Sequence, residues 1–354
     1  MTIAITADLH LTSRAEHPQR FTALEDILEQ MLTVSADTLV IAGDLFDADR
    51  RDFHEFEEII SRQNFRSLKV VIIPGNHDAA LKQSSFSQPN LLVFDKPQMV
   101  WLEKNGLPFL FLPYKTGISA GDQMAEFRGK IKPLEFILVS HGDFISGMRS
   151  PNPLERGIYM PLTRMDLESF QPARVFLGHT HIPYEQNRVI SPGSPAAVDP
   201  TEIGRRGFWL YDSVANTMDR RFIRIGPIYM QEKFLVIPSN ESAEHIQEEI
   251  RLRIAAWGFS ENELKRVRLI ARFSGCSPDR AFLREKVLQA LDSITLYPNG
   301  EPDLSDVLSE DDPALAAAAG LALQKAIDLN LTSTPAIPEL AEIQRAIFRL
   351  VYGE

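Results

Sequence analysis

The chain has a single cysteine, Cys276, among its 354 residues, so no disulfide can form within it and a reducing compartment is expected. One thiol also cannot build a thiolate-rich structural zinc site. No G-x-x-x-x-G-K-[ST] stretch occurs, which excludes a phosphate-cradling loop of that kind from this polypeptide. Long apolar runs are missing too. The longest, around "ALAAAAGLAL" at 314–323, is about half of what a membrane span needs, so no membrane partner is expected. The opening "MTIAITADLH" lacks the basic-then-apolar layout of a secretion signal, and a cytoplasmic protein is expected.

Positive charge is the scarcer sign, with 37 Lys and Arg against 48 Asp and Glu, a net −11. That balance argues at first against a nucleic-acid partner. Its distribution weakens the objection. Residues 230–354 hold 20 acids and 13 bases, whereas the first 229 hold 28 and 24. Six acids and no base fall in "EPDLSDVLSEDD" (301–312), just downstream of four bases in "KRVRLIAR" (265–272). Net charge decides little here.

What the chain does have is an alternation of short apolar strands and helices, without repeats. Strands are expected at 3–6, 38–43, 69–73, 109–113, 136–140, 174–178, 188–191 and 208–212, with helices at 20–34 and 52–64 among them. Continuous apolar runs of this kind imply sheet buried on both faces, in an α/β fold. From about 229 a second β-α-β-α-β series begins: strands at 233–238, 266–273 and 295–298, helices at 241–258 and 280–294. Two further helices are expected at 313–329 and 337–351, to complete that region or dock a partner. The expected division is 1–228, then 229–300 as a smaller α/β domain, then 301–354 as an acidic linker with C-terminal helices.

The chemistry sits at strand ends. Asp8 and His10 follow the first strand in "ADLH", Asp44 the second in "GDLFD", and Asn76, His77 and Asp78 the third in "GNHD". His141 follows the strand at 136–140 in "SHGD", and His179 with His181 follows 174–178 in "GHTH". Any one of these could be an ordinary turn. Five in succession, holding five of the eight histidines, are better explained by convergence at the carboxyl ends of the strands. Asp8, His10, Asp44, Asn76, His141, His179 and His181 make a mixed nitrogen and oxygen set too large for one four-ligand ion. Two ions sharing a bridging carboxylate could use them all. Such ligands suit manganese, iron or zinc better than calcium. Two divalent cations would outweigh Asp8 and Asp44 and leave a positive site. The expectation is metal-assisted phosphoester hydrolysis. His17, His54 and His245 lie on polar or helical segments and are expected to take no part.

These motifs resemble those of the calcineurin-like metallophosphoesterases over the first 210 residues or so. The resemblance implies a four-layered α/β/β/α sandwich carrying two metal ions, most often Mn2+, with Fe2+, Zn2+ or Mg2+ as alternatives. By motif it gives Asp8, His10 and His181 to one metal, Asn76, His141 and His179 to the other, and Asp44 to both. His77 would contact the scissile phosphate and protonate the leaving oxygen, with Asp78 orienting it. The wording of "GDLFDADR" and "GNHD" departs from the protein phosphatases. With "SPGSPAAVDPTEIGRRGFWLYD" (191–212), it looks like the DNA-repair nucleases of the SbcD and Mre-eleven type. That type implies a DNA substrate, a cap domain at 229–300, a homodimer, and a separate SMC-like ATPase of the SbcC or Rad-fifty type. "KRVRLIAR" alternates basic and apolar residues as an edge strand with one basic face would. Lys265, Arg266, Arg268 and Arg272 are therefore its candidate DNA contacts. Two other readings remain: a phosphodiesterase for small substrates such as cyclic nucleotides, and a non-catalytic recruitment subunit.

Overall fold

A computed structural model of the chain describes residues 2–47, 53–146, 157–236, 242–308 and 313–329, with 343–344, 346–347 and 350–351. It divides into two compact units, Met1–Pro227 and Ile228–Glu354.

The first unit is built on two six-stranded sheets. One has β1 (Thr2–Thr6), β2 (Thr38–Ala42), β3 (Lys69–Ile73) and β4 (Leu91–Val93) in parallel. Antiparallel β13 (Gly207–Asp212) and β14 (Thr217–Phe222) extend it on the β1 side. The other has β6 (Phe109–Leu112), β7 (Ile137–His141), β10 (Arg174–Gly178) and β12 (Val189–Ser191) in parallel. Its edges are the antiparallel strands β5 (Gln98–Val100) and β11 (Tyr184–Gln186). A short pair, β8 (Phe144–Ile145) and β9 (Leu162–Thr163), lies apart from both.

Alternation along each strand serves two cores at once. Ile3, Ile5, Val40, Ala42, Val71 and Ile73 meet Phe109, Phe111, Ile137, Val139 and Phe176 between the sheets. Their neighbours Ala4, Leu39, Ile41, Val70 and Ile72 face away, onto Leu24, Ile27 and Leu28 of α1 (Pro18–Thr33) and Ile59 of α2 (His54–Ser61). Across the second sheet, Leu110, Leu138, Val175 and Leu177 pack on Met124 of α3 (Ala120–Ala125) and Phe170 of α4 (Arg164–Phe170). The result is an α/β/β/α sandwich, as the resemblance implies. Each fully buried Val, Leu, Ile or Phe contributes about 1.5–3 kcal/mol. A one-residue slip in register would exchange the two cores, so register is firmly set. That fixed register decides which residues emerge at the strand ends.

The second unit holds a parallel sheet of β15 (Ile228–Val236), β16 (Val267–Cys276), β17 (Thr295–Leu296) and β18 (Asp303–Leu308). One face is covered by α5 (Ser242–Ala256) and α7 (Arg280–Ala290), through Ile246, Ile250, Leu283 and Val287 on Phe234, Leu269 and Phe273. A short α6 (Glu261–Leu264), capped by Ser260, leads into β16. Ala319 and Leu323 of α8 (Pro313–Asp328) pack on buried Cys276.

Two expectations need correction here. The strand carrying "KRVRLIAR" is interior, with β15 on one side and β17 and β18 on the other. Val267, Leu269, Ala271 and Phe273 supply its buried face, and a strand with so complete an apolar row is drawn to the middle of a sheet. The acidic stretch is not a linker throughout. Residues 303–308 form β18 because Leu304 and Val307 point into the core while Asp303, Ser305 and Asp306 stay exposed. Positions 309–312 and most of the helix expected at 337–351 lie outside the described residues.

Candidate metal centre

The parallel strands of the first unit deliver their polar residues through a strained backbone. Asp8, His10, Asp44, His179 and His181 have φ of 54°, 46°, 50°, 108° and 56°. For residues with a Cβ this region costs roughly 1–2 kcal/mol each, and it is found mainly where a site demands it. Here it turns side chains at successive strand ends toward one point. The Asp8 and His10 amides donate to the Gly43 and Asp44 carbonyls at 3.1 and 3.0 Å, so the segments leaving β1 and β2 brace each other. Asp8 accepts the His179 amide on its two oxygens at 2.9 and 3.1 Å, and Asp44 Oδ1 accepts the His77 amide at 2.9 Å. Glycine is required beside Asp44: a Cβ on Gly75 would overlap Asp44 Oδ1, and one on Gly43 would overlap the His141 ring.

All seven residues expected as ligands come together. Asp8, His10, Asp44 and His181 form one group whose donor atoms lie within 4.8 Å of one another, and Asp44, His141 and His179 form another. Asp44 belongs to both. Asn76 joins the second group, its Oδ1 lying 2.8 Å from His141 Nε2 and 3.0 Å from His179 Nδ1. Apart from half-buried Asn76, all of them are buried.

The donor set fits cations better than it fits itself. His141 Nδ1 lies 2.9 Å from the Ala42 carbonyl, an acceptor, so that nitrogen carries the proton. Its Nε2 then presents a lone pair to Asn76 Oδ1 and, at 3.2 Å, to Asp44 Oδ2. His181 Nδ1 likewise donates to Glu202 Oε1 at 2.9 Å, leaving Nε2 facing His10 Nε2 at 2.9 Å. The His141 Nε2 lone pair facing the Asp44 carboxylate needs a positive charge between them. Without a metal, protons must supply it. Burial alone would lower His141, but Asp44, then Asp8, outweigh it and push the imidazole up to about 9. His181 is raised against its burial by Glu202 and Asp8. Asp44 is depressed although burial opposes this, chiefly by His141 and His10, while burial keeps Asp8 above the usual carboxylate range. A divalent cation satisfies the same atoms without protonating them. The buried His and Asp cluster is a divalent metal centre.

Its supports include a residue that the motifs do not reveal. Glu202 is buried, and besides His181 it accepts from Ser194 Oγ at 2.6 Å and the Val198 amide at 3.1 Å. Arg206 holds it at 3.3 Å and donates to the His181 carbonyl at 2.6 Å. His181 and Arg206 outweigh burial and keep this carboxyl low. A carboxylate on the far nitrogen fixes the tautomer and aim of a ligating histidine. Glu202 lies 21 residues beyond His181 in an irregular segment, where spacing gives no signal.

His77 stands at the rim, half-buried, its ring edge-on to His10 with centroids 4.6 Å apart. Asp78 does not orient it. Both Asp78 oxygens are committed to backbone, accepting from Gly75 at 2.7 Å and Phe46 at 3.2 Å. Burial and the Asp44 charge push this carboxyl up to about 7 against those hydrogen bonds. The group on His77 Nδ1 is Asp47, at 3.1 Å, itself 3.4 Å from buried Arg20. In a turn as tight as Pro74–Asp78, an adjacent side chain folds back onto the turn's own amides, and the partner for the ring comes from another strand end.

The four basic residues fall elsewhere. Arg268 and Arg272 lie on the face of β16 opposite the helices, while Lys265 and Arg266 precede the strand. Arg268 is opposite Tyr229, and Arg272 is opposite both Lys233 and Asp303. None of the four belongs to the first unit.

Comparison with known proteins adds a family. The pattern of the calcineurin-like phosphoesterases matches residues 1–183. The chain is 26% identical over 257 residues to the DNA double-strand break repair protein Mre11 of Nanoarchaeum equitans, across 59% of this chain and 66% of that protein. It thus spans somewhat under two thirds of that relative. Among solved structures, an archaeal phosphodiesterase is matched at 15% identity with a TM-score of 0.35, covering 63% of this chain and 99% of that one. The E. coli phosphoesterase Yfce is matched at 16% with a TM-score of 0.30, covering 63% of this chain and 100% of that one.

Proposed function

The chain belongs to the calcineurin-like phosphoesterase family, a metal-dependent phosphodiesterase by its site, and from that premise we propose that it is a two-metal DNA nuclease acting in repair. The observation that carries the two-metal reading is the sharing of Asp44 by two groups of buried donors. Asp8, His10 and His181 would hold one ion, Asn76, His141 and His179 the other, and Asp44 both, with manganese the first choice by ligand type. When bound, such a pair supplies nucleophile activation and neutralises charge developing on the phosphate.

The chain's own residues do the rest. Asp8 and Asp44 hold the strand ends together through amide hydrogen bonds and fix the ligand geometry. Glu202 and Arg206 hold His181. His77, at the open rim with Asp47 behind its Nδ1, can present Nε2 to a phosphate and pass a proton to the departing sugar oxygen. Asp78 keeps the Pro74–Gly75 turn closed beneath it. The DNA substrate is supported by the likeness to the archaeal repair protein. In the second unit, the face of β16 with Arg268 and Arg272, beside Tyr229 and Lys233, is the candidate contact for the DNA backbone. A homodimer, a separate SMC-like ATPase and a nucleoid-associated cytoplasmic location complete the reading.

One experiment tests it. With manganese, the wild type is expected to cut linear or single-stranded DNA and to hydrolyse bis-p-nitrophenyl phosphate. His77→Ala should lose about 10²–10⁴-fold in kcat on DNA, and much less on the small ester, whose p-nitrophenolate leaves without a proton, while keeping its metal. Hydrolysis of the small ester with intact DNA would favour a small-substrate phosphodiesterase. No hydrolysis of either, with metal bound, would favour a recruitment subunit.

A further inference from the structure

The first sheet ends on β14, where the side chains of Arg220 and Phe222 share one face. Met218 and Trp209, on the same face, pack at the margin of the core between the sheets, so this is the inward face where the second sheet no longer covers it. Phe222 is 40% exposed. Two guanidinium groups lie over its ring, Arg205 at 5.5 Å and Arg220 at 5.1 Å from the centroid. Arg220 donates to the Arg205 carbonyl at 3.4 Å. Among the described residues Arg220 has no carboxylate partner. Its neighbours do: Arg221 pairs with Asp219 at 2.8 Å, and Arg224 with Asp26 at 2.6 Å. The strand end is held in place, with Gln30 donating to the Phe222 carbonyl and the Ile223 amide to the Arg206 carbonyl, at 3.0 and 2.9 Å.

The register places this cluster beside the metal centre. Ile5 pairs with Trp209, and Gly207 pairs with Phe222. Two residues further along both strands, Gly207 comes level with Ala7, the residue before Asp8. Phe222 is therefore two strand spacings, roughly 10 Å, from the base of the centre. Arg205 also adjoins Arg206, whose other end is bonded to the His181 carbonyl. Platform and centre share one frame.

We propose that Arg205, Arg220 and Phe222 form a stacking platform for unpaired bases of single-stranded DNA entering the metal centre. The inference rests on the nuclease reading and names which form of DNA that site takes. The guanidinium groups over this exposed ring extend it as a stacking surface for a base and bring positive charge to the flanking phosphates. Paired bases in a duplex have both faces covered, so the cluster selects an unpaired strand.

The test is anisotropy of a fluorescein-labelled single-stranded oligonucleotide with the full chain, in chelator so that nothing is cut. Phe222→Ala is expected to bind roughly ten- to a hundredfold more weakly. The double variant Arg205→Ala/Arg220→Ala should be weakened at least as much and show a shallower salt dependence. Phe222→Trp, which keeps a ring, and Arg221→Ala, on the opposite face, should bind as the wild type does. Undiminished binding by Phe222→Ala and by the double variant would overturn the platform, as would equal losses in Phe222→Trp and Arg221→Ala. A wild type that hydrolyses the small ester yet neither binds nor cuts DNA would instead contradict the nuclease reading, and the platform with it.

Discussion

Both units set helices against sheets of parallel strands, yet they finish those strands in opposite ways. Among the described residues of the first unit, eleven other than glycine have positive φ, and five of them are the carboxylates and imidazoles of the metal centre. In the second, positive φ among the described residues occurs only at Gly258, Gly275 and Gly300. There β16 runs out through Gly275, where a Cβ would overlap the Val236 carbonyl, into Cys276 buried beneath α8. The carboxyl ends of parallel strands are a general place for ligands. What separates the two units is which one keeps Cβ-bearing, metal-binding residues in a conformation that costs free energy. Strain of that kind persists only where surrounding structure enforces it. In the first unit, the two cores on either face of each sheet enforce it.

Three substitutions sharpen the contrast. The largest effect is expected from Asp44→Ala, which removes the residue shared by both donor groups. Small-ester hydrolysis with manganese should fall by on the order of 10³-fold or more. Near-normal turnover would mean the shared carboxylate is not central. Glu202→Gln comes next. It preserves shape and an acceptor for His181 but removes the charge, so manganese affinity should drop about 10–100-fold, with activity returning as manganese is raised. Affinity equal to the wild type would reduce Glu202 to a packing role. The smallest effect at the centre belongs to Leu283→Ala, in the core of the second unit. It should destabilise that unit by about 2–5 kcal/mol in denaturant while leaving manganese affinity unchanged. A fall in metal affinity there would break the division between the units.

The candidate metal centre is legible because each expected ligand sits where an apolar run stops, a signal that periodicity displays directly. Asp8, Asp44 and His141 each follow such a run by at most two residues. The left-handed turns themselves are not legible: Asp and His adopt positive φ more often than most residues with a Cβ, yet too seldom for their presence to announce it. Glu202 escaped because it belongs to a segment with no periodicity and acts only through His181. The partner of His77 is hidden for a related reason: neighbours in sequence are poor guides inside a tight turn, where Asp78 bonds the amides around it and Asp47 reaches across from beyond β2. In the second unit, the charges of "EPDLSDVLSEDD" concealed β18, because two buried residues in six make a faint pattern. The same applies to "TMDRRF" of β14, whose polar composition hid an edge strand and with it Phe222.

If these seven side chains form a two-ion centre joined by Asp44, the number of ions bound reveals it. Calorimetric titration of the metal-free full chain with manganese tests it most directly. Two ions are expected per chain of the wild type, and at most one bound tightly by Asp44→Ala. A single ion in the wild type, or two bound with unaltered affinity by Asp44→Ala, would contradict it.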